Sequence, residues 1–326
     1  MKMQSWNWQK KTEPRDLVLG ETDIPILGDD DVLIQNTYIG LNPVDWKLIV
    51  NGHPKWQPGH VPGVDGAGIV VQVGKNMEHI QLSARVCYHT SLINNGSFAT
   101  HTVVNGNRIM AIPAILSDAA AAAFPCPGLT AWQAFQKLPA IQNKHVLINS
   151  AGGSVGYFLA QLLLENGARV FVTASEYHHN DFYNMGVLQV VDYKHTDWKT
   201  LIKKAAHGQP FDAVFDTVNG ASAAGLMDML GYYGHIVAIQ DRVAENPIRP
   251  FTTSVSVHEI ALGAFHQFAT EKQINQLMQE GERLLQQIGN GKFKQRSLAV
   301  ADFETLNTHL QEMKDQRSAT KYVVKI

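Results

Sequence analysis

A short β-branched run, a glycine-rich turn, an amphipathic stretch and a second β-branched run leave a chain few folds to choose from. Here they are His145-Val146-Leu147-Ile148-Asn149, then Ala151-Gly152-Gly153-Ser154-Val155-Gly156, then Tyr157 to Gly167, then Arg169-Val170-Phe171-Val172-Thr173. Two strands joined by a helix of this length pair in parallel, because a hairpin cannot make that crossover. The strand signals repeat at Val187–Asp192, Ala213–Asp216 and His235–Ile239. Strands alternating with helices predict a doubly wound parallel sheet, hence an α/β fold.

The turn itself reads Ala151-x-Gly153-x-x-Gly156, with alanine in the first glycine position. Small residues permit a tight turn and the close approach of a pyrophosphate, and the helix that follows offers unpaired N–H groups and a partial positive charge. The spacing therefore predicts a dinucleotide site built on Ala151, Gly152, Gly153, Ser154, Val155 and Gly156; a tight turn without a ligand is the alternative.

The tip of the second strand, Thr173-Ala174-Ser175, carries no carboxylate to bind a ribose 2′-hydroxyl, as an NAD site would. Ser175 and Tyr193 are placed to approach a 2′-phosphate. His178 and His179 stand where a lysine or arginine is usual; a neighbouring phosphate would raise their pKa and make them cations. Two solvated surface histidines are the equal alternative, and Glu176 argues mildly the other way. The expected cofactor is NADPH, with NADH as the alternative.

The rest of the chain has a different character. Residues 1 to 124 are rich in glycine, proline and short β-type runs such as Val32-Leu33-Ile34, Gly68 to Val73 and Ala84 to Tyr88, which suggests a partly open β-barrel or sandwich. Ser117-Asp118-Ala119 reads as a capped helix start. Pro125 and Pro127 are expected to interrupt that helix, with a new one opening near Gly128. Beyond Phe251, helices are expected over 271–290 and 302–315, and Lys321 to Ile326 alternates like an edge strand. The expected division is 1–124 with 260–326 as one domain and 125–259 as the nucleotide-binding one.

Composition removes several functional classes. The formal net charge of -2 gives no basic surface for nucleic acid or anionic membranes. No apolar run approaches the length of a membrane span. The start MKMQSWNWQKKTEPRD has no apolar core of a signal peptide. Two cysteines, Cys87 and Cys126, are too few for a disulfide framework. A cytoplasmic protein with no nucleic-acid or membrane partner is the expectation.

Several motifs in order carry a resemblance over nearly the whole chain. They are Gly40-Leu41-Asn42-Pro43-Val44-Asp45-Trp46-Lys47, Pro62-Gly63-Val64-Asp65-Gly66-Ala67-Gly68, Gly128-Leu129-Thr130-Ala131, the turn from Ala151 to Gly156, Val191-Asp192-Tyr193 and Leu262-Gly263. The chain resembles the medium-chain dehydrogenase/reductases, specifically their zinc-independent quinone oxidoreductase and enone reductase branch. The resemblance implies a GroES-like partly open β-barrel catalytic domain beside a Rossmann domain, and a homodimer through the edge strand of the latter.

It also implies roles for particular residues. In quinone reductases the residue equivalent to Asn42 faces the nicotinamide, and Thr130 lies close to the same ring. Lys47 stands where several enone reductases have lysine, beside Asp45; a cation there would stabilise a developing enolate, or form a structural ion pair with Asp45. Asp45 itself is expected to fix its loop, and Asp65 to be structural. Val218 and Ile239, following the fourth and fifth strands, should line the cofactor pocket, and Phe265 and His266 the substrate side. The zinc-dependent alcohol dehydrogenases of this superfamily hold their metal with a cysteine where this chain has Asn42, and carry a lobe of four closely spaced cysteines that it lacks. No metal site is expected, and His53, His60 and His89 are read as loop or surface residues. The last strand departs from the family in having Thr320-Lys321 where a glycine often precedes the lysine.

The function these features imply is hydride transfer from NADPH to a small-molecule quinone, or to the activated C=C bond of an enal or enone. A non-catalytic NADPH-binding protein, acting as redox sensor or RNA binder, and an alcohol dehydrogenase-like enzyme are the alternatives.

Overall fold

The protein is described from a computed structural model covering residues 2–316 and 320–326. Two compact units emerge: Met1–Leu129 with Gly263–Ile326, and Thr130–Leu262. The sequence placed these divisions at 124/125 and 259/260.

The Thr130–Leu262 unit is a six-stranded sheet in the order Gln189–Val191, Arg169–Thr173, His145–Asn149, Phe211–Asp216, Leu230–Ala238, Ser256–Glu259, with every neighbouring pair parallel. The chain starts in the middle at His145–Asn149, winds outward to one side, then returns to Phe211–Asp216 and winds to the other. This is the doubly wound Rossmann order, with its reversal between His145–Asn149 and Phe211–Asp216. Ligands bind such sheets outside the strand carboxyl ends at that reversal. Strands buried on both faces read as near-continuous apolar runs; His145–Asn149 is buried at all five positions, with Val146, Leu147 and Ile148 at its centre. Helix Ser154–Glu165 buries Phe158, Leu159, Leu162 and Leu163. A cluster including Leu147, Phe171, Ile202, Phe211, Val214 and Ile236 fills the interior.

In the other unit, strand Asp31–Gly40 organises the sheet. One of its edges pairs with Asp65–Val73 over nearly its full length. Its other edge is shared: residues 31–35 pair with His101–Asn105 and residues 38–40 with Lys321–Lys325. Register shifts at Leu33/Ile34 and Asn36/Tyr38 mark where the strand bends between partners. Arg85–His89 and Ile109–Ala111 extend the sheet on one side, and Leu298–Asp302 on the other. A hairpin of Lys2–Asn7 and Val18–Asp23 stands apart. Its Trp6 and Trp8 join Ile39, Leu41, Ile49, Trp56, Phe303 and Leu306 in one apolar cluster, while Val32, Ile34, Val70, Val86 and Tyr88 form another. These are a partly open barrel and a doubly wound sheet, the α/β class expected.

Two expectations are corrected. The helix Asp118–Ala122 does end ahead of the prolines, but the next one opens at Pro125 rather than near Gly128: Pro125 and Pro127 sit in the first turn of Pro125–Phe135, where their missing N–H groups have no intrahelical partner to lose. Lys321–Lys325 is not an edge strand. It lies between Leu298–Asp302, to which it is parallel, and Asp31–Gly40. Lys321 is buried, its Nζ donating to the Leu41 carbonyl and to Asn42 Oδ1.

Phe171 lies edge-on to Phe211, with ring centroids 5.3 Å apart, at 2% exposure. Phe171→Ala should destabilise the protein by about 3–5 kcal/mol, read as a lower urea midpoint of unfolding.

Candidate active site

Strand Asp31–Gly40 delivers Leu41 and Asn42 to the start of helix Pro43–Asn51. Gly40 is required by close approach: a Cβ there would sit 2.1 Å from the Ala122 carbonyl oxygen. Asp45, in the helix's first turn, accepts from its own N-cap, Asn42 N–H, at 2.7 Å, and from Val64 N–H at 3.1 Å. These two bonds tie the 42–45 loop to the segment entering Asp65–Val73, so Asp45 fixes the loop. Lys47 is half-buried, with Nζ 5.7 Å from the centre of the Trp46 ring, a cation–π distance.

Asn42 is 3% exposed. Its Nδ2 donates to Asp65 Oδ2 at 2.9 Å and to the Gly40 carbonyl at 3.2 Å. Its Oδ1 accepts from Lys321 Nζ at 2.7 Å, and the same ammonium donates to the Leu41 carbonyl at 2.9 Å. Asp65 also accepts Cys126 N–H at 2.9 and 3.0 Å, a carboxylate at a helix N-terminus. The helix so anchored, Pro125–Phe135, carries Thr130 one turn on; the division between the units falls at 129/130.

Burial dominates the electrostatics here. It pushes Asp45 up to about 8 against its bonds from Asn42 and Val64, and Asp65 up to about 7 against the Lys321 charge and its N–H donors. It pulls Lys321 below the usual lysine range, against the attraction of Asp65. Lys321 is the residue the sequence reading missed. A lysine opening an alternating strand gives no signal of burial.

Histidines read as surface groups are interior. His60 is 9% exposed and stacks on Trp56 at 4.2 Å; His89 is 3% exposed, its Nδ1 3.3 Å from Nε2 of His266. Each is buried because an aromatic neighbour or a second imidazole covers it. Burial lowers His60 and His89 to about 4 and His266 to about 2. Phe265 lies against His266, with centroids 3.9 Å apart. A small cavity beside Asp45 is lined by Leu48, Trp56, His60 and Leu92. Among the described residues, no group of three or more His, Cys, Asp or Glu stands together to hold a metal ion.

In the Thr130–Leu262 unit, the glycine turn follows His145–Asn149 and caps helix Ser154–Glu165 with Gly153, which has no side chain to fill the first-turn N–H groups. Each glycine has its own reason. A Cβ on Gly156 would lie 2.5 Å from Ala151 Cα, and one on Gly152 would lie 2.7 Å from the His178 ring. A Cβ on Gly153 would meet nothing within 4 Å. Open space over the helix N-terminus, at the sheet's reversal, fits the pyrophosphate of a dinucleotide.

A buried polar network ties together the ends of these strands. Asp216 accepts from Asn149 Nδ2, Ser222 Oγ and the N–H groups of Val218 and Asn219. Asn149 Oδ1 accepts from Thr173 Oγ1, which accepts from Ser150 N–H. Val218 is thereby presented at 44% exposure, while Ile239 is 6% exposed. Ser175 is half-buried beyond the second strand, and Tyr193 is exposed. His178 is not a solvated histidine: it is 6% exposed, against Gly152, because the turn has no side chain there. His179 Nε2 lies 3.1 Å from the Ala174 carbonyl.

Residues 28–114 match the model of the alcohol dehydrogenase GroES-like domain, and residues 154–280 that of the zinc-binding dehydrogenase. The chain belongs to the medium-chain dehydrogenase/reductase superfamily. It is 29% identical over 225 residues to the trans-enoyl reductase himH of Aspergillus japonicus, covering 65% of each chain. It is 30% identical over 211 residues to the chloroplastic quinone-oxidoreductase homolog of Spinacia oleracea, covering 62% of this chain and 63% of that protein. Each match spans less than two thirds of the relative's length. The fold matches the quinone oxidoreductase from Coxiella burnetii at a TM-score of 0.85 and 22% identity, over 100% of both chains.

Two outcomes follow. Gly153→Val should leave the thermal midpoint within about 2 °C, since its side chain meets open space, yet weaken NADPH binding more than about tenfold in a fluorescence titration. The second concerns His60. Its pKa is depressed in the folded state, so between about 6.5 and 4 the unfolded chain holds the extra proton and stability falls with pH. His60→Phe removes that proton and keeps the stack on Trp56. Between pH 6 and 4.5 its unfolding free energy should fall less steeply with acid than the wild type's, by up to about 1.4 kcal/mol per pH unit.

Proposed function

We propose that this chain is an NADPH-dependent reductase acting on a quinone, or on the activated C=C bond of an enal or enone, with NADH the weaker cofactor. The observation that carries the reading is the open space over Gly153 at the sheet reversal. The similarity to an enoyl reductase and to a quinone-oxidoreductase homolog supports the reaction class. A bound nicotinamide would supply the hydride.

The chain's own residues would do the rest. Ala151 to Gly156 hold the pyrophosphate on backbone N–H groups. Val218 and Ile239 line the crevice. Ser175, with Tyr193, meets the 2′-phosphate where no carboxylate repels it, and His178 stiffens the turn from behind Gly152. Asn42 and Thr130 take the positions beside the nicotinamide that the family resemblance assigns. Lys47 supplies positive charge to the substrate oxygen as the enolate forms, and water supplies the last proton. A cytoplasmic location and a homodimer belong to the same reading. No helix among the described residues is long and apolar enough to cross a membrane.

The reading is tested by NADPH consumption at 340 nm against a panel of quinones, enals and enones. Activity above the uncatalysed rate with at least one of these is expected. NADPH-induced thermal stabilisation with no turnover would point instead to a protein that only binds the nucleotide. Lys47→Met should lower kcat for enones about tenfold or more with little change in NADPH affinity; an unchanged kcat would remove Lys47 from the mechanism.

A further inference from the structure

Asn42, Asp65 and Lys321 interlock so that each settles the others' orientation. An ammonium only donates and a carboxylate only accepts. The Asn42 group 2.7 Å from Lys321 Nζ is therefore the carbonyl, and the group 2.9 Å from Asp65 Oδ2 is the amide nitrogen. The amide cannot be flipped without setting N–H against N–H on one side and oxygen against oxygen on the other. Both Nδ2 hydrogens are engaged, by Asp65 and by the Gly40 carbonyl. The accepting atom of the side chain is Oδ1.

We propose that Lys321 is a positioning residue of the reductase site: its buried ammonium locks the Asn42 side chain with both amide hydrogens turned inward, so that Asn42 meets a ligand only as a hydrogen-bond acceptor. The inference rests on the reductase reading for the statement that Asn42 meets the cofactor. Its consequence is specific. Asn42 recognises a donor, such as an amide NH₂ or a hydroxyl of the cofactor, and gives no hydrogen bond to a substrate carbonyl or enolate oxygen.

The lock is supported from three parts of the chain. Lys321 pairs with Leu298 at the start of a strand that is joined to Asp31–Gly40 from Val323 onward, so its backbone is held. Its second bond, to the Leu41 carbonyl, fixes the residue before Asn42. Asp65, from the second motif, is pinned by Cys126 N–H on a third element. Lys321 is 5% exposed. A lysine buried merely for packing would draw its ammonium toward water; this one turns inward onto two carbonyl oxygens.

The test is a double-mutant cycle of Lys321→Met and Asn42→Ala, read as the NADPH dissociation constant by fluorescence. It is combined with ¹⁵N NMR of the Asn42 side-chain amide, assigned by its loss in Asn42→Ala. Lys321→Met should weaken NADPH binding about tenfold in the wild-type background, and less than about twofold once Asn42 is alanine. The Asn42 NH₂ should exchange slowly with water in the wild type and fast in Lys321→Met. An equal loss in both backgrounds would make Lys321 a general structural residue and overturn the proposal, as would no loss in either. Should Lys321→Met not fold, Lys321→Gln replaces it under the same criteria. A wild-type chain that bound no NADPH would sink the reductase reading alone. The lock would then stand or fall on whether amide exchange is slow in the wild type and accelerated in the variant.

Discussion

One buried ammonium lies where the two chain segments of the first unit, Met1–Leu129 and Gly263–Ile326, meet. Removing a charge from water is costly unless partners surround it, and Lys321 finds its partners on residues 41 and 42, some 280 positions away in the sequence. The last strand must therefore lie beside Asp31–Gly40. The nucleotide-binding unit then has to be an insertion rather than a terminal domain, since the chain leaves after Leu129 and returns at Gly263. Hydrophobic burial around Ile39, Leu41 and Val324 supplies the bulk of the driving force. The charged cluster adds little net stability and a great deal of register, because sliding the last strand by one residue would turn Lys321 to the opposite face.

The second unit solves a parallel problem around a single carboxylate. At its sheet reversal the strands end and the backbone must turn away without closing the crevice. Asp216 gathers four donors from three segments, and Asn149 and Thr173 continue the network to the turn at Ser150. The two halves thus share a design: a buried, hydrogen-bonded polar cluster in each. Such clusters specify one arrangement only when every member is satisfied.

What could be read from the sequence follows from the range of the forces involved. The Rossmann half was legible nearly to the residue, because β-branched runs, small-residue turns and helix periodicity act locally. Its strands at His145–Asn149 and Arg169–Thr173 match the sequence reading, while the helix runs Ser154–Glu165, opening inside the glycine turn rather than after it at Tyr157. The second helix was placed near Gly128 rather than at Pro125, because a proline that ends one helix and one that starts the next differ only in what precedes them. Lys321 and the His89–His266 pair were invisible as partners for a deeper reason. Their environments are made by segments 177 or more residues apart, and nothing in a local window says that a lysine in an alternating strand faces inward. Asp65 was assigned a structural role, and its bonds to Cys126 and Asn42 give that role its content.

The same cluster bears on the chemistry that the proposed function requires. Two carboxylates buried together, Asp45 and Asp65, call for positive charge nearby, and burial lifts both toward neutrality for want of enough of it. In this chain the charge comes from a tethered ammonium, and Asn42 and Asp65 have already committed the atoms they would offer a metal: Oδ1 to Lys321, the carboxylate to Cys126 and Asn42. A cation bound there would have to displace Nζ from 2.7 Å and break the anchor of helix Pro125–Phe135 at once. An ammonium neutralises charge but does not coordinate and polarise a carbonyl as a Lewis acid does. Under the proposed function, the acceptor must then bring its own activation. Quinones and conjugated enones do so, because their electron-poor carbon is already conjugated to the oxygen that takes up the charge, whereas an isolated ketone would depend on help that Asn42, with both amide hydrogens turned inward, is not arranged to give.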